Sequence, residues 1–311
     1  MSGSVTQKTF SDFGQTGVVL TNTHVSDAGG GAVTLAATFA DDFGGSSLDP
    51  TRWSSGNWSG GGYTPVISNS VLTVQTTGGG WVRSLNTYTH GVIETIAQFG
   101  TGAWQHIGFA SDGFAGNRYF IFSTYTGDGN LYARVNNNAS EQRVSLGTIP
   151  IGMRRYRIEW STLDAANDQV SFYVDGVQLA TMYVTNVGGA NFYLYFSNAT
   201  ATSALLVDAA QVTPPYLTSG SYTSCALDAG VGNAWQTLSW NASTPVNTSL
   251  TVQARTSLDG VTWSNWNTML VSGSGVSPVG RYIQYGLLLA TTDSQTTPQV
   301  NSVTLGWQQQ P

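Results

Sequence analysis

Residues 156–182 read YRIEWSTLDAANDQVSFYVDGVQLATM. Apolar or aromatic side chains (Tyr156, Ile158, Trp160, then Val170, Phe172 and Val174) alternate with polar ones, which is the two-residue period of a half-buried strand. Asp175-Gly176 follows, a dipeptide suited to the left-handed backbone of a tight hairpin turn. The rest of the chain carries the same signature. It has 37 glycines among 311 residues, abundant Ser, Thr and Asn, and no run of helix-forming Ala, Leu, Glu and Lys. Short strands joined by turns are expected throughout, so the class is all-β.

The length suffices for two domains with cores of their own. Only 9% of residues are charged, Lys8 is the sole lysine, and the net charge is −6 with no basic cluster. Nucleic acid is excluded as a partner, because neutralising phosphates needs Lys and Arg gathered on one face. The same shortage disfavours an anionic membrane surface, and no apolar run approaches the length of a membrane span. Cys225 stands alone, which rules out an internal disulfide and a cysteine metal site. Low charge, many small polar residues and ten tryptophans point to an extracellular or cell-surface protein. Met1-Ser-Gly-Ser lacks the basic and apolar regions of a signal peptide, so a leader is expected to lie outside this chain.

Three segments follow one another: N-terminal strands in 1–36, a central strand-rich segment in 37–216, and a second one in 217–311. Pro214-Pro215 marks the later boundary, since paired prolines cannot extend a ladder. Through IEW (158–160), VSFYVDGVQLAT (170–181), FADDFGGSSLDPTRW (39–53) and ALLVDAAQVTPPY (204–216), the central segment resembles the concanavalin-like β-sandwiches. That superfamily holds legume lectins, laminin-G modules and laminarinase-type glycoside hydrolases. The last segment resembles galactose-binding-like (discoidin-type) jelly rolls of bacterial surface proteins, through SYTSCALDAG (221–230), SLTVQARTSLDG (249–260) and GRYIQY (280–285). In modules of that look, a stretch like GVVLTNTHVSDAGGGAVTLA (17–36) sits directly before the SYTS segment; here the sandwich intervenes. The resemblance thus implies a concanavalin-like sandwich inserted into a galactose-binding-like domain, with 1–36 joining 217–311.

The laminarinase-like resemblance further implies two carboxylates in Glu-x-Asp-x-x-Glu, on the strand after a hairpin like HGVIETIAQFGTGAWQHIGFA (90–110). Here that strand reads NRYFIFSTYTG (117–127), with no acid between Asp112 and Asp128. The glutamates of the whole chain are Glu94, Glu141 and Glu159. No catalytic residue is assigned on this basis. A lyase would need a Tyr or His base beside a group that neutralises a uronate, and Gln105, His106, Arg118, Tyr125, Tyr132 and Arg134 provide those types. Alternation places Arg118, Phe120 and Phe122 on one face and Tyr119, Ile121 and Ser123 on the other. The plain alternative for His106 is a satisfied polar group at a strand end.

Sugar binding needs aromatic faces for the CH surface and planar polar groups for the hydroxyls. Trp58, Trp81, Arg83, Trp104, His106, Arg118, Tyr132 and Arg134 form the candidate ligand face, while Trp53 and Trp160 are expected in the core. The resemblance also implies a structural calcium held by Asp42, Gly45 and Asp208. Trp263 and Trp266 of the last segment are expected to pack at an edge. The expected function is non-catalytic extracellular binding of a polysaccharide or glycan. One alternative is a structural or adhesive subunit, self-associating through edge strands at Val18–Leu35 and Val300–Trp307. Another is a polysaccharide lyase or hydrolase with a non-standard site.

Overall fold

Around the 156–182 stretch, Arg154–Thr162, Asn167–Val174 and Val177–Thr185 run as consecutive antiparallel strands. Asp175 (φ 50°) and Gly176 (φ 80°) adopt the left-handed conformation that closes Val174 onto Val177. Tyr156, Ile158, Trp160, Val170 and Phe172 are buried, as their alternation requires. This computed structural model describes residues 2–60, 62–138, 140–186 and 191–309. The protein is all-β, built from antiparallel sheets. Its chain divides into two compact units, one from Phe39 to Thr213 and the other from the segments up to Thr38 and from Pro214 onward.

In the Phe39–Thr213 unit, the three strands above continue through Gly91–Gln98 and Leu205–Tyr216 to Val71–Val74 and Val66–Ser68, and Ala37–Asp41 also pairs with Leu205–Tyr216. A second sheet has seven strands in the order Gln142–Thr148, Asn130–Asn137, Arg118–Ser123, Gln105–Ala110, Tyr193–Asn198, Gly80–Ser84 and Trp53–Asn57. Each strand gives alternate residues to the core between the sheets. Phe122 meets Phe172 edge-on at 5.2 Å, and Phe109 meets Trp160 at 5.3 Å. Fully burying each such ring contributes about 1.5–3 kcal/mol, so this layer dominates the stability of the unit. Trp53 and Trp160 belong to it, as their sequence settings suggest.

The other unit also holds two sheets. Ser2–Gln7 runs antiparallel to Gln299–Gln309, Val300 pairs with Val33, and Val19–Thr21 pairs with Ser219–Thr223. Early and late segments therefore share one core, in which Val33 and Leu35 pack with Trp235, Leu287, Val303 and Leu305. Val19–Thr21 and Thr23–Ser26 end their sheets, but the expected edge at Val300–Trp307 needs correcting. Gln299–Gln309 is flanked by strands of its own sheet on both sides, so its ladder is satisfied and leaves nothing for a neighbour. No helix of the described residues is long and apolar enough to cross a membrane.

Candidate functional site

The core takes Ile107, Phe109, Phe120, Phe122, Ala133 and Val135 from the seven-stranded sheet, which leaves their sequence neighbours on the opposite face. On that outer face, direct cross-strand pairing sets His106 against Ser197 and Ser123, and Tyr132 against Ser123. Arg134, 6% exposed, lies at the centre of a polar cluster. Its Nε donates to Glu141 Oε1 at 3.1 Å and its Nη2 to Oε2 at 2.5 Å, the two-pronged geometry suited to a carboxylate. Nη1 donates to Ser123 Oγ at 3.3 Å and lies 3.5 Å from His106 Nε2, while Nη2 lies 3.4 Å from the Tyr119 hydroxyl. Tyr119 in turn donates to Glu141 Oε2 at 2.5 Å, and Arg143 Nη1 approaches Oε1 at 3.4 Å.

Aromatic rings wall this cluster. The Arg134 guanidinium lies 4.6 Å from the Tyr125 ring centre and 5.4 Å from that of Trp104. Arg143 lies 3.8 Å from the same Tyr125 ring and 5.6 Å from Tyr132, whose hydroxyl donates to Asp128 at 2.6 Å. A second aromatic group occupies the other end of the face. Trp81 leans on Tyr195 at 5.8 Å, and Arg83 lies 4.1 Å from the Tyr193 ring and 3.1 Å from an Asp112 oxygen. Phe114, in a short 3-10 turn at Asp112–Asn117, links the two groups. Its ring contacts Trp58, His106, Tyr119 and Tyr195 at centroid distances of 5.1–5.8 Å.

Burial, then the positive charge of Arg134, lowers the His106 pKa to about 3, so the imidazole stays neutral at physiological pH. Burial and the hydrogen bond to Glu141 raise that of Tyr119, which keeps its proton. Burial also works to raise the Glu141 pKa, but hydrogen bonds from Arg134 and Tyr119 outweigh it and hold the group as a carboxylate. Arg134 thus lies among a protonated phenol (Tyr119), a neutral imidazole (His106), a carboxylate (Glu141) and a second guanidinium (Arg143).

Among the expected ligand residues, Trp104, His106, Tyr132 and Arg134 meet in this cluster, and Trp58, Trp81 and Arg83 in the neighbouring group. Arg118 does not join them. It has the strand parity of Phe120 and Phe122, both fully buried in the core, and the outer position belongs to Tyr119. Gln105 likewise serves structure, accepting from Gly100 N and donating to the Ser203 carbonyl. Tyr119, Glu141, Arg143 and Phe114 are site residues that the sequence reading did not assign. The alternation in RYFIFS already favoured Tyr119 over Arg118; nothing in the sequence marks the reach of Glu141 across seven residues to Arg134. Glu94 and Glu159 lie in the other sheet, bonded to Gln211 and to Arg157 and Tyr173. Among the described residues, no second carboxylate touches Arg134 or Tyr119, so the paired-acid geometry of most glycosidases is not formed here.

Asp42 and Asp208 occupy adjoining segments, because Ala37–Asp41 pairs with Leu205–Tyr216. Asp42 Oδ1 already accepts from Gly44 N at 3.1 Å. No group of three or more His, Cys, Asp or Glu gathers among the described residues, so a calcium there would take most of its oxygens from carbonyls such as that of Gly45.

No protein-family model and no curated protein matches the sequence. Solved structures do match the fold. A Bacillus licheniformis β-glucanase aligns at 14% identity and TM-score 0.43, covering 57% of this chain and 98% of its own. A laminarinase from Flavobacterium sp. UMI-01 aligns at 17% and 0.44, covering 58% and 100%. A β-1,3-1,4-glucanase derived from a mouse hindgut metagenome aligns at 12% and 0.43, covering 55% and 96%. Each is named as an enzyme. The expectation of a non-catalytic binding module is corrected on this finding alone.

Proposed function

We propose that the chain cleaves a polysaccharide on the outer face of the seven-stranded sheet, through a centre other than paired carboxylates. The carrying observation is the flanking of one guanidinium by two proton-transfer groups. His106 Nε2 lies 3.5 Å from one Arg134 terminal nitrogen, and the Tyr119 hydroxyl 3.4 Å from the other. Base, acid and cation converge on one spot, which suits β-elimination from a uronate better than hydrolysis with opposed groups. Arg134 holds the sugar carboxylate and spreads the charge that develops when C5 loses its proton. His106 Nε2 accepts that proton, the C4–O bond breaks as a C4–C5 double bond forms, and Tyr119 gives its proton to the departing oxygen. Trp104, Tyr125 and Tyr132 provide stacking surfaces for the sugars on either side.

The test is incubation with polygalacturonate and alginate beside a neutral β-glucan. Absorbance from unsaturated uronates should grow together with new reducing ends, and Tyr119→Phe should slow both at least about a hundredfold. Reducing ends from the neutral glucan without the unsaturated product would assign hydrolysis instead. No product from any polymer would end the reading.

The same reading takes the unit that includes Pro214–Pro311 as a galactose-binding-like jelly roll, and the protein as extracellular. Calcium at Asp42, Gly45 and Asp208 would brace the sandwich away from the chemistry. Its removal by EDTA should lower the melting temperature, and an unchanged value argues against it.

A further inference from the structure

Four donors converge on the Glu141 carboxylate: Arg134 Nε and Nη2, Arg143 Nη1 and the Tyr119 hydroxyl. Two cations thus face one anion, and the receiving groups are built into the sheet. Arg134 is 6% exposed, and Tyr119 8%. Glu141 itself belongs to no strand; it lies in the connection between Asn130–Asn137 and Gln142–Thr148, and the latter is an edge strand with a mostly exposed burial pattern. The seat is fixed and its occupant is attached by a hairpin end.

We infer that this seat is a carboxylate-binding site for an acidic sugar, which the protein's own Glu141 fills until a uronate displaces it. This rests on the reading of the face as the polysaccharide site. Leaving Arg134 without an anion is costly because a buried charge would stand uncompensated, so Glu141 can leave only as another anion enters. The exchange conserves charge: one carboxylate leaves the guanidinium for water and another arrives from water. Neutral sugars bring no such group and cannot drive the exchange, so Glu141 acts as an internal competitor that sets a threshold for uronates and excludes uncharged glycans. Once displaced, Glu141 also releases the Tyr119 hydroxyl from its hydrogen bond, leaving that proton available to the substrate.

The experiment compares glucuronate and glucose binding to the full chain and to Glu141→Ala by calorimetry. Glucuronate should bind the variant about tenfold or more tightly than the parent, with glucose unaffected in both. Equal glucuronate affinities, or a parallel rise for glucose, would overturn the inference. If Glu141→Ala does not fold alone, refolding in glucuronate but not in glucose supports the seat, and failure in both sinks it. Binding is read without cleavage, so the two readings fail separately. Selective uronate binding by a chain that cuts nothing keeps the seat and loses the enzyme, and cleavage by the parent with no gain on Glu141→Ala does the reverse.

Discussion

His106 Nδ1 and Ser197 Oγ lie 2.9 Å apart on directly paired strands. An Arg134 N–H faces Nε2, so Nε2 is the acceptor nitrogen and Nδ1 carries the hydrogen donated to Ser197. The tautomer is fixed from both sides of the ring.

A pH dependence follows from that arrangement. The folded His106 pKa, about 3, lies below the ordinary value of 6.5. Above 6.5 the ring is neutral in both states and adds nothing to the slope. As pH falls below 6.5, the unfolded chain binds a proton that the folded chain refuses until about pH 3. Folding stability should therefore fall across that window, by on the order of 5 kcal/mol in the limit. Denaturant unfolding of the parent and His106→Gln between pH 7 and pH 4 checks it; parallel curves would refute the assignment.

Tyr119→Phe keeps the ring that packs on Phe114 and removes one donor to Glu141. The hydrogen bond to a charged acceptor contributes about 1–2 kcal/mol, so the melting temperature should drop only modestly while cleavage is lost. Loss of folding and activity together would mean that the hydroxyl is mainly structural.

Phe114 covers His106 at 5.4 Å between ring centres, from a left-handed backbone position (φ 58°). Phe114→Ala should cost about 1–2 kcal/mol, less than for a fully buried ring. Water then reaches the imidazole, and its titration midpoint, followed by NMR, should move upward toward 6.5. An unmoved midpoint would show that burial beneath Phe114 is not what depresses it.

Gly56 pairs directly with Trp81, and a Cβ there would sit 2.4 Å from Trp81 Cζ2. The indole rests on Tyr195, so yielding disturbs that contact too. Gly56→Ala should cost about 1–3 kcal/mol by thermal unfolding. A neutral result would mean that Trp81 swings freely and is no fixed platform.

The hairpin at Asp175-Gly176 and the burial of Trp53 and Trp160 were legible because each depends on local pattern: a turn dipeptide, strict alternation, aromatic residues amid apolar neighbours. Trp104, His106 and Arg134 could be gathered on one face for the same reason. Arg118 was misplaced because its residue type suggested a sugar ligand while its parity, shared with Phe120 and Phe122, assigned it elsewhere; parity decides. Glu141 was out of reach, since its place on Arg134 is a tertiary contact outside any strand, and no periodicity encodes that. The non-catalytic expectation is corrected by the enzymes whose folds align, not by a motif of this chain. A missing pair of acids excludes one way of breaking a glycosidic bond, and proton transfer by imidazole and phenol needs no such pair.

The Gln299–Gln309 strand stands between Ser2–Gln7 and Ala32–Leu35 on one side and Asn233–Ser243 on the other. On the ribosome, Ser2–Gln7 and Ala32–Leu35 must therefore wait for Gln299–Gln309 before their sheet can close. Phe39–Thr213 has every one of its partners by the time Tyr216 emerges, so it should mature during translation while the strands at 2–35 remain unpaired. Arrest soon after Tyr216 would release a finished sandwich with the 2–35 strands still sticky, and chaperone demand should concentrate on that stage.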